Sequence, residues 1–168
     1  INKSDEYGKK IKGATNSKIK WFSIKNLDSI HYEEIKVNAC GIEGIIKNKN
    51  RQFSIKSNLI GYYNAENILA AVSCAQVIGI RKEDIEQGIS NCSSVPGRME
   101  SFILSTGANV IIDYAHTPDA YEKSLNAIKN IKPDIGKIYI VFGAGGERDR
   151  YKRPVMGSIA EKYCNHSY

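Results

Sequence analysis

Val110-Ile111-Ile112 is an apolar run that stops at Asp113, and a few residues later Thr117-Pro118 opens a different pattern. The run reads as a strand. Thr117 is suited to cap a helix, with Pro118 at the first helical position, where the missing N–H costs nothing. Tyr121, Leu125 and Ile128 then recur at helical spacing, so the helix turns one apolar face inward and runs to about Ile131. A strand that hands over to a helix in this way limits where polar chemistry sits. In open α/β sheets, ligands bind outside the carboxyl ends of the strands. Asp113 and His116 stand at such an end.

The flanking sequence extends the alternation. Residues 99–104 and 109–114 read as strands around a turn at 105–108. Residues 137–142 are an apolar run of buried-strand type, residues 143–151 a glycine-rich then charged loop, and another helix begins near Pro154. Strand–helix–strand order predicts a parallel α/β sheet. The last five residues continue a helical pattern without a closing Gly or Pro. Before residue 60 the pattern is of short strands and turns. Residues 5–11 read as a short helix and 19–24 as a strand, and 44–46 pairs with 52–55 as a hairpin across 47–50. From Asn64, a plausible N-cap, Ile68, Leu69, Ala71, Val72, Ala75 and Ile78 recur with helical period, and Gly79 is the stop signal. A second helix covers 82–89. Small and turn residues cluster in Ser90-Asn91-Cys92-Ser93-Ser94-Val95-Pro96-Gly97, which places a boundary between units at 1–93 and 94–168.

Composition narrows the class. The chain has 168 residues, 42% apolar and 25% charged, which suits a soluble globular protein. No apolar run reaches the length of a membrane span, so no membrane partner is expected. The net charge of +6, from 24 basic against 18 acidic residues, is spread over scattered lysines without interleaved aromatics. That favours a solvated surface over a nucleic-acid face, and leaves room for a small anionic ligand. Cys40, Cys74, Cys92 and Cys164 match no zinc spacing and read as reduced, mostly buried thiols of a cytoplasmic protein. The chain opens on Ile1 and its end lacks a stop signal, so both ends read as cut.

Four segments carry chemistry. In Tyr63-Asn64-Ala65-Glu66-Asn67, Asn67 can read a purine edge or merely satisfy backbone groups at the helix start, and spacing favours the second. In Pro96-Gly97-Arg98-Met99-Glu100, Arg98 can fork onto a phosphate or make an ion pair between units. In Asp113-Tyr114-Ala115-His116-Thr117-Pro118, Asp113 can hold a ribose hydroxyl or a metal-bound water and His116 can meet a phosphate at the helix start, or the run is a structural turn. In Gly143-Ala144-Gly145-Gly146-Glu147-Arg148-Asp149-Arg150-Tyr151-Lys152-Arg153-Pro154, glycines that allow close approach precede four basic residues suited to a carboxylate or phosphate. A dinucleotide fingerprint is rejected, because Arg148 takes its last glycine position.

In this order the four segments resemble the Mur ligase family, and within it the branch that adds the third residue of the cell-wall peptide. That branch shows Gly-x-Phe-Asn-x-x-Asn-x-Leu-Ala-Ala, Gly-Arg-Met-Glu, Asp-Tyr-Ala-His-Thr-Pro-Asp and Gly-Gly-Asp-Arg-Asp-x-x-Lys-Arg-Pro-x-Met-Gly. The stretch Asn2-Lys3-Ser4-Asp5-Glu6-Tyr7-Gly8 resembles a further run late in the family's central domain, while residues 12–58 match weakly. The resemblance implies the end of a central ATPase domain followed by the start of a Rossmann-like C-terminal domain. It implies that Asn67, Arg98, Asp113 and His116 contact ATP at the junction of those domains, with Arg150 where the family has a lysine close to the phosphates. Arg148 then contacts the incoming amino acid, lysine or meso-diaminopimelate, and the acceptor is UDP-MurNAc-L-Ala-D-Glu. Glu147 replaces the usual Asp and Tyr151 a common Gly. The P-loop, the carboxylated lysine and the Mg2+ ligands fall before Ile1, so no metal ligand or catalytic residue is expected here and this chain alone is expected to be inactive. A monomeric cytoplasmic enzyme is implied. Cyanophycin synthetase, another Mur-type ligase, or a non-catalytic nucleotide-binding module are the alternatives.

Overall fold

Phe53, Ile55 and Ser57 are buried while Gln52, Ser54 and Lys56 face out, the period of two that a strand with one covered face requires. This strand belongs to a computed structural model that describes residues 1–25, 27–145 and 149–168. The chain divides into two units, Ile1–Ser94 and Val95–Tyr168.

In the first unit, α1 (Glu6–Ala14) is capped by Asp5, whose carboxylate accepts from Tyr7 N at 2.8 Å. Three antiparallel strands follow, β1 (His31–Asn38), β2 (Gly41–Asn48) and β3 (Arg51–Ser57), in the order β1-β2-β3. The expected hairpin is present, with Ile46 opposite Phe53 and Ile45 opposite Ser54. Residues 19–24 are not a strand: Phe22 alone bridges, to Asn2 on one side and to Ile30 on the other. Trp21 and Phe22 stand side by side, so apolar and polar residues do not alternate through the segment as a half-buried strand requires.

Helices α2 (Tyr62–Val77) and α3 (Lys82–Asn91) complete this unit. Ile68, Leu69 and Val72 of α2 and Ile85 of α3 pack on Ile42, Ile46, Phe53 and Ile55 of the sheet. Gly61, not Asn64, is the N-cap of α2; Asn64 lies inside the first turn, buried, and its Nδ2 donates to Ile60 O at 2.8 Å. At the other end Gly79 takes φ +81, its N–H donates to Gln76 O and that of Ile80 to Ala75 O, a paired closure that needs a left-handed residue at Gly79.

In the second unit, β4 (Glu100–Ile103) and β5 (Asn109–Ile112) pair antiparallel, α4 (Pro118–Ile131) is capped by Thr117, and α5 (Lys152–Tyr163) carries Pro154 in its first turn. Thr117 Oγ1 accepts from Ala120 N at 3.3 Å. The core here joins Tyr121 and Leu125 of α4 to Met156, Ile159 and Ala160 of α5 over Ile138. Among the described residues of the second unit the parallel strand pairing is β6 (Tyr139–Ile140) with β7 (His166–Ser167). The segment around β6 is not buried on both faces, since Tyr139 is 58% and Val141 83% exposed while Ile138 is buried. Nor is β5 covered on both sides, for Val110 and Ile112 are exposed.

The last residues are extended rather than helical. Cys164 leaves the helix at φ −111, and Asn165 both donates from its N–H to Ile138 O and accepts at Oδ1 from Ile138 N, each at 2.8 Å. That pair of bonds ends the helix in place of a Gly or Pro. The thiols are free, but Cys40 and Cys74 are exposed and the other two half-buried. Cys40 falls in the β1–β2 turn and Cys74 on the outer face of α2, where no neighbour covers them. No helix among the described residues is long and apolar enough to cross a membrane.

Candidate functional site

Asp113 is the first residue beyond β5, and its carboxylate is the hub of the second unit's polar chemistry. Oδ1 accepts from Ala115 N and from Ser124 Oγ, both at 3.0 Å, and Oδ2 accepts from Met99 N at 2.9 Å. Three donors from three segments therefore meet on one half-buried carboxylate. A carboxylate offers about four lone-pair positions, so one position on Oδ2 is unused by these bonds.

The bond to Met99 fixes the turn that carries Arg98. Arg98 N donates to Val95 O at 3.0 Å, Tyr114 N to Gly97 O at 2.7 Å, and Gly97 N to a Glu100 carboxylate oxygen at 3.0 Å. Met99 sits at φ +47, a left-handed conformation that costs a non-glycine residue about 1 kcal/mol. Its buried side chain and the bond to Asp113 hold it there. The result places the exposed Arg98 guanidinium carbon 5.1 Å from the centre of the Tyr114 ring. The Tyr114 and His116 rings lie 5.1 Å apart, edge to face.

His116 Nδ1 is 3.2 Å from Tyr114 O, so a proton on Nδ1 donates there and Nε2 is left for another partner. Lys152 Nζ, from the start of α5, donates to His116 O at 3.4 Å. Arg98, His116 and Lys152 thus put three basic side chains around the end of β5 and the start of α4. Helix starts carry partial positive charge, so this corner suits an anion.

Of the residues singled out from the sequence, Arg98, Asp113 and His116 come together. Arg150 is exposed, two residues before the Lys152 that reaches His116 O, and its carbonyl accepts from Arg153 N at 3.2 Å. Arg148, assigned to the amino acid, lies outside the described residues, as does Glu147. Neither Gly143 nor Gly145 has a positive φ, and a Cβ on either would meet no neighbouring atom of the described residues within 4 Å, so the space above them is open. Asn67 belongs to the first unit, exposed on the first turns of α2, where its Nδ2 donates to Asn64 Oδ1 at 3.3 Å. Among the described residues no group of three or more His, Cys, Asp or Glu side chains could hold a metal ion, and no metal step is assigned to them. Sequence reasoning missed Tyr114 and Ser124. Ser124 had a signal: it is a polar residue on the face of α4 that otherwise presents Tyr121, Leu125 and Ile128.

Comparison with known proteins bears on this arrangement. Residues 1–75 match the Mur ligase middle domain, and residues 97–168 the Mur ligase glutamate ligase domain. The chain is 39% identical over 165 residues to the UDP-N-acetylmuramoyl-L-alanyl-D-glutamate–2,6-diaminopimelate ligase of Aquifex aeolicus, covering 98% of this chain and 33% of that protein. It is 38% identical to a Clostridium acetobutylicum protein of the same name, covering 96% and 34%. A solved structure of such a ligase superposes with TM-score 0.70 at 29% identity, covering 99% of this chain and 35% of that one. The Acinetobacter baumannii ligase that adds D-alanyl-D-alanine reaches 0.77 at 20% identity, covering 99% and 37%, a likeness of fold. The chain spans about a third of the length of the curated relatives it matches. Two family domains in sequence, together with relatives that align along nearly the whole chain, establish that it belongs to the Mur ligase family.

Proposed function

We propose that this chain is part of an ATP-dependent amide ligase that adds the third amino acid to UDP-MurNAc-L-Ala-D-Glu. One observation carries the reading: Arg98, Asp113 and His116, drawn from two separate motifs, meet at the carboxyl end of β5 beside the start of α4. The names of the relatives support 2,6-diaminopimelate as the amino acid, with lysine the alternative. In this reading residues 1–93 close the middle domain, residues 94–168 open the ligase domain, and the whole enzyme is a cytoplasmic monomer using ATP with Mg2+.

The chemistry is a two-step substitution. The D-Glu carboxylate attacks the γ-phosphorus of ATP, releasing ADP and forming an acyl phosphate. The amine of the incoming amino acid then attacks the acyl carbon and expels phosphate. Little covalent work falls to side chains in such transfers; positioning and charge neutralisation dominate. Arg98 is suited to fork onto a phosphate, the remaining lone pair on Asp113 to accept from a ribose hydroxyl, and His116 to present Nε2 to the phosphates. Asn67 offers its amide to the base, Arg150 a charge near the phosphates, and Arg148 a partner for the amino acid's carboxylate.

The test expresses the whole reading frame that contains this chain and measures ADP formation. ADP release that requires both UDP-MurNAc-L-Ala-D-Glu and 2,6-diaminopimelate is expected. Arg98→Ala should lower kcat/KM for ATP at least about 10-fold, since a hydrogen bond to a charged group contributes about 1.5–3 kcal/mol. No ADP release with either amino acid would sink the assignment.

A further inference from the structure

We infer that Ser124 is a positioning residue of the nucleotide site, acting through Asp113 on the Arg98 turn and the His116 loop. The inference rests on the functional reading above and deepens it. Its starting point is an anomaly of patterning. The inward face of α4 presents Tyr121, Leu125 and Ile128, yet Ser124 among them is also buried, at 9% exposure. A buried hydroxyl is unfavourable unless it is bonded. This one donates to Asp113 Oδ1 at 3.0 Å, across eleven residues of sequence.

That bond does more than satisfy the hydroxyl. The terminal torsion of an aspartate is broad and roughly two-fold, so a carboxylate turns easily unless both oxygens are held. Ala115 N, only two residues along, holds Oδ1 from within the same loop. Ser124 holds it from a packed helix, which is the fixed reference in the cluster. With Oδ1 anchored to α4, Oδ2 is aimed at Met99 N, and that bond keeps Met99 in its left-handed conformation. Arg98 is the residue before Met99, and His116 follows Ala115. The hydroxyl of Ser124 therefore sets the spacing of two side chains that it does not touch. It also leaves the free lone pair of Oδ2 pointing in one direction. Loss of the hydroxyl leaves the loop's own amide as the remaining hold on Oδ1.

The experiment uses the protein expressed from the whole reading frame and measures ATP affinity, the KM for ATP, and thermal stability. Four variants are compared with wild type. Ser124→Ala is expected to weaken ATP binding about 5–10-fold and raise the KM for ATP in parallel, with kcat changed less than about two-fold. Ser124→Thr, which keeps the donor, should stay within about two-fold of wild type. Leu125→Val, which loosens packing in the same helix turn but keeps the hydroxyl, should melt lower with ATP affinity unchanged. Ser124→Cys, close in volume with a weak donor, carries the same test if the alanine variant does not fold, and should behave like it. Wild-type affinity in the Ala and Cys variants, alongside a wild-type protein that binds ATP, overturns this inference alone. So does a threonine variant as weak as alanine, or a Leu125→Val variant weakened as much as Ser124→Ala. A wild-type protein that binds no ATP overturns the functional reading together with the inference.

Discussion

Tyr121 is buried in the core between α4 and α5, 4% exposed, with its ring 5.3 Å from that of Phe142. Its hydroxyl is buried and has no hydrogen-bond partner among the described residues. An unpaired buried hydroxyl costs about 1–3 kcal/mol, so Tyr121→Phe, which keeps the ring and discards the oxygen, should stabilise the second unit by about 1 kcal/mol near neutral pH. In a unit of this size that is a rise in Tm of about 4–8 °C. The hydroxyl also makes a pH-dependent prediction. Burial, and to a lesser extent the nearby Cys164 thiol, pushes the Tyr121 pKa from 10.0 up to about 12. A raised folded-state pKa gives stability that is whole below the unfolded value of 10 and is lost as pH climbs through the folded one, because the unfolded chain releases its proton first. At about pH 11 that loss is on the order of 1 kcal/mol, and it approaches a ceiling of roughly 3 kcal/mol above pH 12. Phenylalanine has no such proton to lose. Urea unfolding of wild type and Tyr121→Phe at neutral pH and near pH 11 cancels the other alkaline titrations in the difference. The advantage of the variant should roughly double. A variant less stable than wild type at neutral pH refutes the argument because the hydroxyl then has a partner, and an advantage that does not grow above pH 10 refutes it because burial then does not hold the hydroxyl protonated.

Two further substitutions test the scaffold. A Cβ at Gly44 would stand 2.3 Å from Glu34 O, a backbone atom of the neighbouring strand, so Gly44→Ala should destabilise the first unit by about 3 kcal/mol, seen as an earlier far-ultraviolet circular dichroism transition; a wild-type transition contradicts the strand contact. Glu122 accepts from Lys162 Nζ at 2.7 Å and from Tyr163 Oη at 3.1 Å, tying α4 to α5, and those bonds hold its carboxyl below the ordinary 4.5. A depressed acid contributes stability above its unfolded value that is lost as pH falls through the folded one. Glu122→Gln should therefore melt slightly below wild type at pH 7 and converge with it in the window below pH 4.5, and the gap should narrow in high salt because the pair is exposed.

The elements that a single local rule decides were legible in the sequence. The α4 start needed only Thr117-Pro118, and the hairpin of β2 and β3 needed only the polar turn between two apolar runs. What escaped needed information from elsewhere in the chain. β1 reads poorly because its register with β2 shifts between Tyr32 and Glu34, so an irregularity at Glu33 breaks the period of two. Glu33 is kept there by Lys47 Nζ at 2.6 Å and Gln52 Nε2 at 2.9 Å, partners from two other strands. The end of α5 was read as continuing because Asn165 stops it by bonding Ile138, far back in the sequence. Asn64 looked like a cap because caps and buried first-turn amides share a residue type; only the left-handed Gly61 before it distinguishes them.

The same division runs through the site. Residue type and strand-end position were enough to single out Arg98, Asp113 and His116, but not to say how they divide the work. Three internal donors on Asp113 mean that most of its capacity is spent on holding the fold of the corner. Arg98 and His116 point outward from segments that Asp113 ties together, so they are the groups left to meet an anion. A substitution at Asp113 should therefore combine two losses, a ligand contact and the placement of two neighbours, whereas one at Arg98 removes a contact alone. Asp113→Asn makes the distinction sharp. Whichever way the amide turns, its NH2 faces either Met99 N or the Ala115 and Ser124 donors, so at least one donor is left opposing another donor. The damage at Asp113 comes from geometry that no reading of residue types contains.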